Sequence, residues 1–351
     1  MIKGNKGEWS EVYALFKLLG EEKIFAGDEN LNKIADLFFP IIKILRTEES
    51  SFEYLCKDSK IIVKNKEKEF IILVQKFQEN SIKLLEAIKK SSGSSFAVPE
   101  IENFLATFNS KKLKAKSSVK TDITIMIHDL RTNQTPLLGF SIKSQLGGPS
   151  TLLNAGSTTN FIYEIKNLDK ETVQKVNALS SFKDKFKLLE KVKIAFSDTQ
   201  NKIFRNNLIL IDSSLDKILA SVALKYYKTQ DSRLDSLTKR ITLENPMKFE
   251  INSNPEIYSY KIKRFLTDVA LGMMPSKPWS GKYDTTGGYL VIKGDGEVLC
   301  YHIYNRNEFE NYLLKNTKLE TPSTTRHDFG KIHEKDGRFF IKLNLQIRFI
   351  K

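Results

Sequence analysis

The spacing of apolar positions changes several times along the chain, and each change marks an element. Val12, Leu15, Phe16 and Leu19 share one side of a helix, so the spacing predicts a helix over 6–20. Residues 29–47 read as a second helix, kinked or divided at Pro40. Two β-rich runs, 60–63 and 70–74, flank a charged stretch at 64–69 and predict a hairpin. Helical spacing returns at 75–90 and again at 99–108, where Pro99 suits a first helical turn. The Ser-Ser-Gly-Ser-Ser run at 91–95 reads as the joint between them.

Beyond residue 120 the pattern turns to strands. Residues 121–128 and 137–143 read as neighbouring strands about a turn at 129–134, followed by a polar loop over 144–160 and a third strand at 161–165. Residues 168–228 read as mostly helical, most clearly at 182–192 and 215–227, and 257–271 as a further helix. Residues 289–304 fold about Gly294-Asp295-Gly296, a strong hairpin signal, and 339–350 alternate as one half-buried strand. The expectation is an α/β (α+β) chain in three parts. A helical N-terminal part (1–110) contributes its first helix to a core at 111–230, and a β-rich α+β region follows at 231–351. No long linker enforces these boundaries.

Composition narrows the function. The 351 residues are enough for a substantial core, and 40% hydrophobic content argues against a disordered polymer. The longest apolar run, near 35–42, is too short to span a bilayer, and the first residues lack the pattern of a signal peptide. Two cysteines, Cys56 and Cys300, are too few for a disulfide framework, so a reducing, cytoplasmic setting is expected. Lys plus Arg exceed Asp plus Glu by 56 to 42, a net charge of +14 that favours a polyanionic partner such as DNA. The plainer reading of that surplus is a solvated, lysine-rich surface.

Common signatures are missing: there is no Gly-x-x-x-x-Gly-Lys loop and no Gly-x-Ser-x-Gly elbow. Cys300, His302, His327 and His333 fit no zinc spacing, and Cys300 and His302 alternate on a strand as ordinary packing residues would. One arrangement does carry chemistry. Asp122 on one strand faces Lys143 on its hairpin neighbour, two residues after Ser141. A carboxylate can hold a hard divalent cation at a phosphodiester, and a lysine beside it can orient water and offset phosphate charge. The same pair is also what a surface salt bridge looks like. Glu8 and Glu11, three apart at the start of the first helix, add two carboxylates on one face, though acids there also complement a helix dipole.

With these residues in view, the chain resembles the HpaII-type restriction endonucleases. The resemblance lies in 5–13, in Phe39-Pro-Ile-Ile-Lys43, and above all in Lys120-Thr-Asp-Ile123, Gly139-Phe-Ser-Ile-Lys-Ser-Gln-Leu146, Leu153-Asn-Ala-Gly and Thr159-Asn-Phe-Ile-Tyr163. It is strongest before 170 and loose after 230. It implies the PD-(D/E)xK nuclease fold, a mixed sheet flanked by helices, and Mg²⁺-dependent cutting of double-stranded DNA at CCGG. Carried over by position, it implies Asp122 as the metal-binding aspartate, Lys143 as the active-site lysine, Glu11 as the helix glutamate and Gln145 as the glutamine two places after the lysine. A homodimer on a palindromic site is expected, together with a cognate DNA methyltransferase in the same system that is not a stable partner.

One position departs from the pattern. The acid expected two residues before the lysine is Ser141, so Asp122 alone would leave Mg²⁺ under-neutralised unless Glu11, or secondarily Glu8, supplies the second carboxylate. The alternatives are a structure-selective repair or junction nuclease and a degenerate DNA-binding protein. For DNA contact, the lysine run at 111–120, Lys120 included, suits phosphate. The weakly charged loop with Thr151, Asn154, Ser157, Thr158, Thr159 and Asn160 suits base edges. Lys282, Arg306 and Arg326 are further candidates in the later region.

Overall fold

In the computed structural model, which describes residues 2–48, 51–65, 68–113 and 121–350, the first helix begins where Asn5 caps it. The chain then runs through α1 (Lys6–Glu21), β1 (Lys23–Gly27), β2 (Lys33–Thr47), β3 (Ser51–Lys57), β4 (Lys60–Lys64) and β5 (Glu69–Leu73). Next come α2 (Val74–Lys90), α3 (Pro99–Ala106), β6 (Ile123–Ile127) and β7 (Leu137–Ser144). The middle of the chain forms β8 (Thr151–Leu153), β9 (Asn160–Lys166), α4 (Lys170–Ala178), α5 (Phe182–Leu188), β10 (Lys193–Thr199), α6 (Lys202–Ile211), α7 (Leu215–Thr229), α8 (Leu234–Glu244) and α9 (Ile257–Leu271). It continues through β11 (Gly288–Ile292), β12 (Val298–His302) and α10 (Arg306–Lys315). The last elements are β13 (Thr317–Leu319), α11 (Thr324–His327), β14 (Ile332–Lys335), β15 (Arg338–Asn344) and β16 (Ile347–Phe349).

These elements group into two units, Met1–Ser150 with Tyr283–Tyr312, and Thr151–Lys282 with Leu313–Ile350. The chain crosses from one unit to the other after residues 150, 282 and 312. The first unit holds a nine-stranded mixed sheet in the order β1-β12-β11-β7-β6-β2-β3-β4-β5. Its parallel pairs are β1–β12 and β11–β7, and β1 also pairs antiparallel with the start of β2, closing six of the strands into a ring. Helix α1 fills one face: Trp9, Val12, Leu15 and Phe16 are fully buried, and Phe16 meets Phe77 and Phe104 edge-on at 5.7 and 5.3 Å. The second unit pairs β10-β9-β15-β14 in one antiparallel sheet and β13-β16-β8 in another, with α4 to α9.

The predicted helix over 29–47 is a strand instead. Buried positions in β2 run Phe39, Ile41, then Ile44 and Arg46, because a bulge against β6 between Ile41 and Lys43 shifts the alternation by one. That shift turns a period of two into an apparent helical spacing. Pro40 is tolerated because its carbonyl still accepts from His128 N–H at 2.8 Å while the ring itself has no donor to place. Residues 193–199, read as part of a helical stretch, form β10, again with a bulge, between Phe196 and Asp198. The single strand expected over 339–350 is two, β15 and β16, which belong to different sheets. Within 144–160 the loop contains β8 and a short 3₁₀ turn, Ser157–Thr159.

Cys300 and His302 are packing residues on β12, as their alternation predicts. The His302 ring lies 5.6 Å from Phe39 and 6.0 Å from Phe140, and its Nδ1 accepts from Tyr304 N–H at 2.9 Å. Burial pushes its proton affinity down to about 4 from an ordinary 6.5, with Asp129 opposing the shift and Arg131 adding to it. The folded chain therefore keeps the ring neutral to about pH 4, whereas the unfolded chain protonates it near 6.5. Lowering pH through that window favours unfolding, on the order of 3 kcal/mol for this group. Urea midpoints at pH 7 and pH 4.5 should accordingly fall further apart for the native chain than for His302→Gln. Equal pH sensitivity in the two would remove His302 as a cause.

Candidate active site

Strand β7 outruns its neighbour β6. Their register ends at Ile123 opposite Phe140, and Asp122 N–H closes the ladder on Phe140 O at 2.9 Å. On its other side β7 stays paired with β11 as far as Ser144 opposite Ile292. Among the described residues, positions 141–144 thus have a strand on one side only. Asp122 turns into the edge left open: its Oδ2 accepts from Ile142 N–H at 2.7 Å and from Ser141 Oγ at 3.0 Å. Lys143 Nζ donates to the same Ser141 Oγ at 3.2 Å. Ser141 therefore links ammonium to carboxylate, accepting from one and donating to the other.

Tyr289, opposite Ser141 in the parallel register, completes the lysine's surroundings. The Lys143 ammonium sits 4.9 Å from the centre of the Tyr289 ring, which is 2% exposed and backed edge-on by Phe309 at 5.5 Å. Burial lowers the proton affinity of Lys143 below that of an ordinary lysine, while the charges of Asp122 and Glu11 pull it back up. The lysine is therefore electrostatically coupled to both carboxylates expected of the site.

Ile142 and Ser144 alternate onto the opposite face of β7, against α1. Ser144 Oγ donates to Ser10 Oγ at 2.9 Å, and Ser10 Oγ in turn donates to Lys6 O at 2.6 Å. This pair ties the helix to the end of the strand and fixes where Glu11, the next residue, stands: on the wall of a cleft shared with Ile142 and Ser144. Glu8 is occupied elsewhere, since its carboxylate accepts from Asn5 N–H at 2.9 Å while its own N–H donates to Asn5 Oδ1 at 3.0 Å. That reciprocal pair is a capping box at the start of α1.

The donor set suits one kind of metal better than others. No group of three or more His, Cys, Asp or Glu side chains is arranged to cage an ion among the described residues. Asp122 keeps Oδ1 without a hydrogen-bond partner among those residues, since both of its accepted bonds fall on Oδ2. One or two carboxylates, with water and substrate phosphate filling the remaining positions, is how Mg²⁺ is usually held. The residues present fit that ion and do not fit a closed zinc site.

The other predicted positions sort by burial. Gln145 does not turn to Asp122 or Lys143; its side-chain oxygen accepts from Gly294 N–H at 3.3 Å. Thr151 and Thr158 are half-buried, and Asn154, Ser157, Lys282 and Arg326 are exposed. Arg306 is exposed and bonded to Glu310 at 2.6 Å. Lys120 and most of the lysine run lie outside the described residues. Asn160 is a correction. Fully buried, it donates to Gln200 and His327 O at 3.0 and 2.9 Å and accepts from Asn344 at 2.7 Å, so its amide has nothing left for a base edge. Sequence reasoning missed Tyr289 and the Ser10–Ser144 pair. Both join segments more than a hundred residues apart, and neither leaves a local signal.

The family model described as HpaII restriction endonuclease matches residues 5–349. The Type II restriction enzyme HpaII of Haemophilus parainfluenzae is 48% identical over 355 residues, covering 99% of each chain. No solved structure matches this chain.

The correction at Asn160 carries a stability prediction. Asn160→Ala takes the donor away from Gln200 Oε1 and His327 O and should cost roughly 1–3 kcal/mol in urea unfolding. Asn154→Ala, at an exposed position, should cost less than about 0.5 kcal/mol. Equal midpoints for the two variants would contradict a structural role for Asn160.

Proposed function

The chain belongs to the HpaII restriction endonuclease family, and from that premise we propose that it is a type II restriction endonuclease cutting double-stranded DNA with Mg²⁺ at CCGG. The observation that carries this reading is the Lys143–Ser141–Asp122 chain on the open edge of β7, with Glu11 electrostatically coupled to the lysine. The sheet that bears it, mixed and packed against α1, is compatible with the PD-(D/E)xK core that the sequence resemblance implies. A homodimer would give each strand of a palindrome an equivalent site.

In this reading Asp122 and Glu11 would hold the cation. Bound there, Mg²⁺ would polarise the scissile phosphate and acidify a water. Lys143 keeps its ammonium aimed at the reacting phosphate because Ser141 Oγ and the Tyr289 ring restrain it from two directions. Its charge offsets what accumulates on the phosphate oxygens, and its Nζ can orient the attacking water. Ser141 carries no formal charge. It holds Asp122 and Lys143 at a fixed separation where a second carboxylate would repel the first.

Plasmid digestion in Mg²⁺ tests the reading. Discrete fragments whose sequenced ends share CCGG are expected; fragments without a common sequence, or nicking of branched DNA alone, would overturn the restriction assignment. Asp122→Ala and Lys143→Ala should each lower cleavage by at least about a hundredfold while duplex binding survives. Near-normal turnover in either would remove this site from consideration.

Two further comparisons separate the supporting roles. Glu11→Gln should raise the Mg²⁺ needed for half-maximal cleavage far more than Glu8→Gln, and equal shifts would reduce both to helix-starting acids. Tyr289→Phe, which keeps the ring, should retain native turnover, whereas Tyr289→Leu should lose roughly tenfold in kcat. Matching losses in both Tyr289 variants would assign the effect to the hydroxyl or to packing.

A further inference from the structure

The cleft on the α1 side of β7 has a chemistry of its own, and we propose that it is a binding site for the sugar-phosphate backbone of the DNA strand beside Glu11. The inference rests on the nuclease reading and adds to it a named contact surface. The cleft measures about 490 Å³, and Ile142 is the one apolar side chain in its lining. Lys6, Ser94, Ser150 and the backbone of Gly147 and Gly148 make up much of the rest. Such walls suit a polar, anionic ligand and give an apolar one little to bury against.

Lys6 is the basic group of this lining, half-buried, and its ammonium has no carboxylate partner among the described residues. The attraction does not depend on the end of α1, because Asn5 and Glu8 already satisfy each other there. Its stem packs closely on the loop: a Cβ on Gly147 would stand 3.3 Å from Lys6 Cβ. Gly148 differs. Its φ is not in the left-handed region, and a Cβ added to it would meet nothing within 4 Å. Neither backbone conformation nor internal packing therefore calls for glycine at 148. The space its missing side chain leaves opens to solvent and lets a ligand approach the loop backbone closely.

Ammonium, serine hydroxyl and backbone N–H donors are the groups that grip phosphate without reading sequence. Glu11 stands in the same wall, so a strand lying in this cleft would bring a phosphate to the carboxylate that faces Lys143's field. Glu11 is the one acid in the lining, and a cation held there in the proposed reading would offset its charge toward a phosphate.

The test is duplex binding by fluorescence anisotropy, in Ca²⁺ and across a salt series, with one oligonucleotide containing CCGG and one lacking it. Gly148→Val should weaken both duplexes alike, by about tenfold or more, at an unchanged melting temperature. Lys6→Ala should weaken both and reduce the slope of log K against log salt by about 0.9. Native affinity in a folded Gly148→Val together with a native salt slope in Lys6→Ala would overturn the proposal. A loss confined to the CCGG duplex would overturn it too, by making the cleft a base reader. If Gly148→Val fails to fold, the Lys6→Ala slope decides alone. Absence of duplex binding by the native chain would instead sink the nuclease reading, and the cleft assignment with it.

Discussion

Because β7 continues for four residues after β6 has ended, the nine-stranded sheet carries an edge left open among the described residues, and the candidate site lies on that edge. A backbone N–H exposed there must find an acceptor, and Ile142 finds the Asp122 carboxylate. The same bond fixes the aspartate's orientation, places its other oxygen outward and brings Ser141 within reach. Strand β11, pairing parallel on the far side, supplies Tyr289 at the matching position. Two long-range pairings thus converge on one short stretch of backbone, so the geometry of the site follows from sheet register and not from loop placement.

Serine in place of an acid at 141 changes how the charges are distributed. Two carboxylates about 3 Å apart repel strongly unless a cation or proton lies between them. With a hydroxyl there, Asp122 and Lys143 are joined by hydrogen bonds through Ser141 Oγ. In the proposed reading the second carboxylate would come from Glu11 on α1, an element that must then be held against the strand for the pair to act together. The Ser10–Ser144 contact, half-buried near the start of α1, provides that attachment. Metal affinity in that reading would depend on helix–strand registration as well as on the ligands themselves.

Much of this was legible in the sequence, and the failures have physical causes. Helix α1, the β4–β5 and β11–β12 hairpins and the β6–β7 pair follow directly from apolar spacing and turn residues, because each is local. Asp122 and Lys143 could be paired for the same reason. Strands β2 and β10 were hidden by bulges, which break the period of two on which recognition of a strand depends. Asn160 looked like a base reader because amides fill both loops and buried networks, and only burial distinguishes the two. Tyr289 could not be found at all, since a parallel pairing between 141 and 289 leaves no trace in either segment.

In the proposed reading Glu11 replaces, from another element, the acid that Ser141 does not provide. Restoring that acid in a chain that lacks Glu11 tests the claim most directly. Mg²⁺ titration of plasmid cleavage should show a raised metal requirement in Glu11→Gln and a return toward the native midpoint when Ser141→Asp is added. A double variant that folds normally yet needs as much Mg²⁺ as Glu11→Gln alone would contradict the account.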